Sequence, residues 1–175
     1  MSNAYLLTGI ASNIPASDQI VSAAGMQATE TNVPELVKVT GSNLNFFGRL
    51  FNVDDQATWH RFVPSGVEVG STLTLRLAFT AVTAAASKNV QFRFSYAIVD
   101  DDETWDVTYT NIDSGDIVVN STQDDLQIVT WTASLPAAFT AGSVGFYMFS
   151  RIDASADELV GAVRVLDFQP EIARN

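Results

Sequence analysis

The chain contains no cysteine. That excludes disulfide frameworks, thiolate metal sites and thiol nucleophiles together, while leaving the redox compartment open. It has one histidine, His60, so an imidazole-based triad or metal site would have to use that residue. His60 sits between Trp59 and Arg61, and no Gly-x-Ser-x-Gly elbow exists anywhere in the chain. It reads as a packed or surface residue, sharing a strand face with Phe62. Glycine-rich phosphate loops are absent. No apolar run reaches the ~18 residues that mark a transmembrane helix. The N-terminus lacks a basic n-region, so mature sequence made in the cytoplasm is expected.

Positive charge is scarce. Nine basic residues stand against twenty acidic ones, for a net charge of −11, and the only lysines are Lys38 and Lys88. A surface this acidic repels phosphate backbones, so no nucleic-acid partner is expected. Arg49, Arg61, Arg76, Arg93, Arg151 and Arg164 are spread through strand-like patterns, and no two adjoin. Their expected role is to pair with carboxylates across strands.

What the chain does have is alternation. Leu73, Leu75, Leu77 and Phe79 share one side of a two-residue period, opposite Thr72, Thr74, Arg76, Ala78 and Thr80. Val90, Phe92, Phe94, Tyr96 and Ile98 repeat the pattern against Gln91, Arg93, Ser95 and Ala97. Two such strands in succession predict an antiparallel sheet with one face on a core. With 175 residues, 47% apolar content and eleven Phe, the chain is long enough and greasy enough to fill that core.

Further strands are predicted over Glu35–Thr40, Leu44–Phe51, Thr58–Val63, Asp116–Asn120, Leu126–Leu135, Val144–Ile152 and Leu159–Phe168. Pro64 and Pro136 stop two of them. The segment from Trp105 to Ile112 alternates less clearly and reads as strand or as a helix flanking a loop. About eight strands from Thr58 on, with short links and no repeat, predict an all-β antiparallel sandwich of jelly-roll type spanning 35–175.

Residues 1–34 differ. They carry only Asp18 and Glu30 as charges, and their apolar residues are isolated. Pro15 and Pro34 disfavour a continuous helix, though Ser17 offers a cap for a short one over 17–28. The expectation is an extended N-terminal arm. Tyr5, Leu6, Leu7, Ile10, Ile14, Ile20 and Val21, together with Phe46 and Phe47, are its candidate interface residues.

The Trp59-His-Arg-Phe-Val-Pro64 strand is followed by Gly70-Ser-Thr-Leu-Thr-Leu-Arg-Leu-Ala-Phe79. The closing Gly145–Arg151 and Leu159–Phe168 strands are linked by an Asp-rich loop. Together these resemble a jelly-roll family of tailed-bacteriophage virion proteins, over roughly 58–170. The resemblance implies capsid decoration, head fibre or tail fibre, commonly as a homotrimer, and it transfers no catalytic residue. On this basis the expected function is non-enzymatic. A capsid cement on the virion surface would bind the major capsid protein and cross-link its subunits through the arm. The alternative is a tail-fibre or surface module binding a host receptor or glycan. No membrane partner and no cofactor are expected.

The remaining candidates are loop acids and aromatics. The run Asp100-Asp101-Asp102-Glu103 offers oxygens of the kind that bind Ca²⁺, but it lacks the EF-hand spacing and reads as a solvated hairpin tip. Asp124 with Asp125, and Asp153 with Asp157 and Glu158, read the same way. Nothing in the sequence selects a pair of carboxylates for glycoside hydrolysis. Trp59, Trp105, Trp131, Tyr109 and Tyr147 are candidates for a sugar-binding face, with Trp105 foremost because it follows the acidic loop. Asn120-Ser121-Thr122 matches a glycosylation acceptor, which carries no consequence in a bacterial or viral product.

Overall fold

The computed structural model describes residues 21–22, 27–28, 31–40, 45–63, 67–84, 86–137, 139–140 and 142–172. All regular structure among them is β. The strands are β1 (Val21–Ser22), β2 (Gln27–Ala28), β3 (Glu35–Thr40), β4 (Asn45–Phe51), β5 (Gln56–Phe62) and β6 (Thr72–Ala81). They continue as β7 (Asn89–Val99), β8 (Thr110–Asp113), β9 (Ile117–Val118), β10 (Leu126–Ser134), β11 (Val144–Ile152) and β12 (Val163–Ile172).

Two antiparallel sheets result. One runs β10-β6-β12-β4-β3 with β1 added beside β12, and the other runs β2-β5-β11-β7-β8 with β9 added beside β7. Setting aside β9, the strands from β4 to β12 pair first with last and inward from there: β4 with β12, β5 with β11, β6 with β10, β7 with β8. That nesting is the jelly roll predicted from the strand count.

The opening alternation sets the core. Leu73, Leu75, Leu77 and Phe79 of β6 are buried, and so are Val90, Phe92, Phe94 and Tyr96 of β7. Between the sheets, Phe168 meets Phe149 at a 4.5 Å centroid separation, and within its own sheet Phe149 stacks on Phe92 at 5.4 Å. Ring pairs at such spacings add about 0.5–1.5 kcal/mol each beyond area burial.

Several expectations are corrected. Within 17–28, where Ser17 offered a cap for a short helix, Val21–Ser22 and Gln27–Ala28 are strand, because their backbones pair with Phe168 and Asp167 of β12 and with Thr58 and Ala57 of β5. These paired pieces of the expected arm therefore extend both sheets of the body. The uncertain segment resolves into irregular chain over 105–109 and strand over Thr110–Asp113. The last strand continues past Phe168 through Pro170 to Ile172. Proline is tolerated there because β12 has no described partner beyond Phe168 on the side opposite β6.

Candidate functional site

Where β5 ends, β11 begins and β7 ends, their outward side chains form one apolar row. Phe62 pairs with Val144, and Val144 with Val99; one step inward, His60 pairs with Phe146, and Phe146 with Ala97. The chain leaving β7 folds over this row and makes a groove of about 440 Å³. Its lining includes Phe62 and Phe146 on one side and Asp100, Asp101, Asp102, Glu103 and Trp105 on the other. Phe62 is 76% exposed and Trp105 81% exposed.

The acidic loop is tied down locally. The Asp100 N–H donates to Glu103 Oε2 at 3.1 Å, and the Glu103 N–H donates back to the Asp100 carbonyl at 3.2 Å. Asp102 takes φ 67°, a left-handed conformation that Asp tolerates better than most residues. The Asp100 carboxylate also anchors the neighbouring loop. Its Oδ2 accepts from Thr140 Oγ1 at 3.2 Å, and its Oδ1 accepts from Ser143 Oγ. Asp101 and Asp102 have no ion-pair or hydrogen-bond partner among the described residues and point their charge at solvent.

A second, smaller cavity of about 280 Å³ lies on the other side of Asp100, lined in part by Thr108, Thr110, Thr140 and Tyr96. Burial raises the Tyr96 phenol above its ordinary pKa. Burial raises Tyr109 likewise. Both rings are therefore neutral at physiological pH.

The structure separates the sequence candidates. Trp59 and Tyr147 stack on each other inside the core at 5.7 Å and are withdrawn from any sugar face. Trp131 is half-buried against Phe168. Only Trp105 of the three tryptophans stands in solvent, where the sequence reading placed it. Phe62 was not singled out for the site, although its position beside Pro64 at a strand end was the available signal. His60 is exposed, with its ring 6.1 Å from that of Phe146.

Three further acids serve the scaffold. Asp124 pairs with Arg164 at 2.7 Å, and Glu158 with Arg151. Asp116 accepts from the Ser155 N–H at 2.8 Å. Among the described residues, no three His, Cys, Asp or Glu side chains gather to hold a metal. Of the interface candidates, Tyr5, Leu6, Leu7, Ile10, Ile14 and Ile20 lie outside the described residues. Val21 is in β1, Phe46 is half-buried and Phe47 is exposed on β4.

No family model and no curated protein matches the chain. Solved structures do match. A family 35 carbohydrate-binding module from Clostridium thermocellum superposes with a TM-score of 0.50 at 14% identity, covering 88% of this chain and 97% of that one. A xylan-binding module of family 15 gives a TM-score of 0.46 at 10% identity, covering 90% and 99%. The enzymatically active domain of bacteriophage CBA120 tailspike protein 4 gives 0.40 at 11% identity, covering 90% of this chain but 19% of that one. At these identities the likeness to the family 35 module speaks to a shared jelly-roll fold.

Proposed function

We propose that this chain is a non-catalytic glycan-binding module whose site is the groove beside Trp105. Its ligands are neutral or amino-bearing sugars. One observation carries this reading: two strongly exposed aromatic side chains share a groove with four consecutive carboxylates. Leaving a large apolar side chain in water forgoes about 1.5–3 kcal/mol of burial, and such exposure marks a contact surface. A pyranose ring presents a C–H face that packs on an indole, and hydroxyls that donate to carboxylates. Asp101 and Asp102, without partners of their own, are the acceptors.

Charge narrows the ligand. Among the described residues no basic side chain lines the groove, and the chain as a whole carries −11. Uronates and sulfated sugars are repelled, whereas hydroxyls and protonated amines are attracted. The role named for the Clostridium module, binding carbohydrate on the same fold, supports a module of this kind.

The capsid-cement reading, with its virion-surface location, major capsid protein partner and homotrimer, rests on the arm. The groove favours the glycan reading instead, in a tail-fibre or surface-protein setting. A glycan array followed by calorimetry on the hits tests it. Binding to neutral or amino-bearing oligosaccharides is expected. Trp105→Ala should weaken it at least tenfold, about 1.4 kcal/mol, with the thermal midpoint unchanged. An array without hits, or full affinity in Trp105→Ala, overturns the proposal.

A further inference from the structure

The geometry points to β10 as the self-association edge of this protein, pairing antiparallel with β10 of a second copy. A sheet edge presents unpaired N–H and C=O groups, and proteins that stay monomeric blunt it with charge, proline, bulges or brevity. Three of the four described edges are blunted. β3 carries Glu35 and Lys38, β2 is two residues long, and β8 is four residues long and bears Asp113. β10 has none of these devices. Its nine residues, Leu-Gln-Ile-Val-Thr-Trp-Thr-Ala-Ser, contain no charge, no proline and no glycine, and its register with β6 is unbroken.

Its burial adds a second argument. No residue of β10 is buried, whereas β6 beside it alternates buried positions along its length. Leu126 and Ile128 are 56% and 63% exposed on its outer side.

The strand's self-complementarity selects the occupant. Two copies at −11 each repel over most of their surfaces, and β10 is a charge-free strip along which they can approach. Pairing β10 with itself about Thr130 sets Ile128 opposite Thr132 and Val129 opposite Trp131. The acids Asp124 and Asp125 then fall opposite Pro136 and Leu135 of the second copy, so the acidic pairs sit at opposite ends of the joint. Such an isologous contact closes as a two-fold dimer. It leaves uncovered the groove on the outer face of the other sheet, so the dimer carries two grooves and gains avidity on a repetitive ligand. The pairing itself is argued from β10 alone and stands apart from the glycan reading.

Sedimentation velocity over a dilution series tests it. The wild type should be a dimer. Ile128→Lys combined with Thr132→Lys sets like charges opposite one another twice and should weaken the dimer at least tenfold. Ile128→Glu combined with Thr132→Lys sets opposite charges there and should restore it. Both positions are exposed, so circular dichroism should show the fold intact in each variant. A wild type that is monomeric throughout or trimeric overturns the proposal, as does a dimer indifferent to the lysine pair.

Discussion

Arg151 is fully buried, and its guanidinium donates to the carboxylate of Glu158 seven residues further on. The same group donates to the carbonyls of Phe51 at 3.2 Å, Leu159 at 2.6 Å and Gly161. Glu158 in turn accepts from the Ala154 N–H at 2.6 Å. One side chain on β11 thus pins the β11–β12 loop to the end of β4, at the opposite end of the sandwich from the groove.

Breaking that pair from either side should be costly. Glu158→Gln leaves a guanidinium buried without its carboxylate, and Arg151→Leu leaves three backbone acceptors unmet. Removing one partner of a buried pair costs about 3–5 kcal/mol. Glu158 is 23% exposed, which places both variants toward the lower end. Urea unfolding measures the loss; a change below about 1 kcal/mol in both variants would mean that the loop is held by its backbone bonds alone.

Gly145 gives a second test. It lies on the inner face of β11, and a Cβ built there would stand 2.2 Å from Tyr147 Oη. Tyr147 is wedged against Trp59 and Phe94, with ring centroids 5.7 and 5.9 Å away. Gly145→Ala should therefore push a packed ring out of place and destabilise by about 1–3 kcal/mol, as overpacking does. Thermal unfolding would show it, and Gly145→Ala with Tyr147→Phe should recover part of the loss.

Asp167 supplies a pH dependence. Burial raises its carboxyl above the usual pKa, opposed in part by the bond from the Phe168 N–H. A carboxyl raised on folding binds its proton more tightly in the native state. Its contribution to stability is full below the unfolded pKa and is lost as pH rises through the folded one. Asp167→Asn keeps an acceptor for Phe168 and removes the charge. It should raise the melting temperature at pH 7 and leave it unchanged at pH 3. A lower melting temperature at pH 7 would show that the ionised form is stabilised where it stands.

The arginine expectation illustrates how far residue-level reading reaches. Arg93 lies directly opposite Asp113 in register and meets it with two bonds, at 2.6 and 2.8 Å. That is the cross-strand pairing its place on a polar strand face implied. Arg151 lies instead in phase with Tyr147 and Phe149, and it is wholly buried and grips a loop of its own chain. The two stand beside one another in register, with Ser150 opposite Arg93, so what separates them is the face of the sheet each one takes.

The chain by itself determined the strands and through them the jelly roll. A two-residue period is a local property, since successive side chains of a pleated strand must face opposite ways. Turn residues and prolines then bounded most of the strands, whereas β1, β2, β8 and the end of the last strand escaped the local pattern. The fate of the aromatics was decided only by tertiary structure. Trp59 and Trp105 are the same residue type, each preceded by a threonine, yet one fills the core and the other stands in water. Sheet register carried Trp59 onto Tyr147 and Phe94, while the loop after β7, bolted through Asp100 to Ser143 and Thr140, held Trp105 out over the groove. Those partners lie roughly 35 to 90 residues away along the chain, and a contact at that distance exists only once the fold has closed.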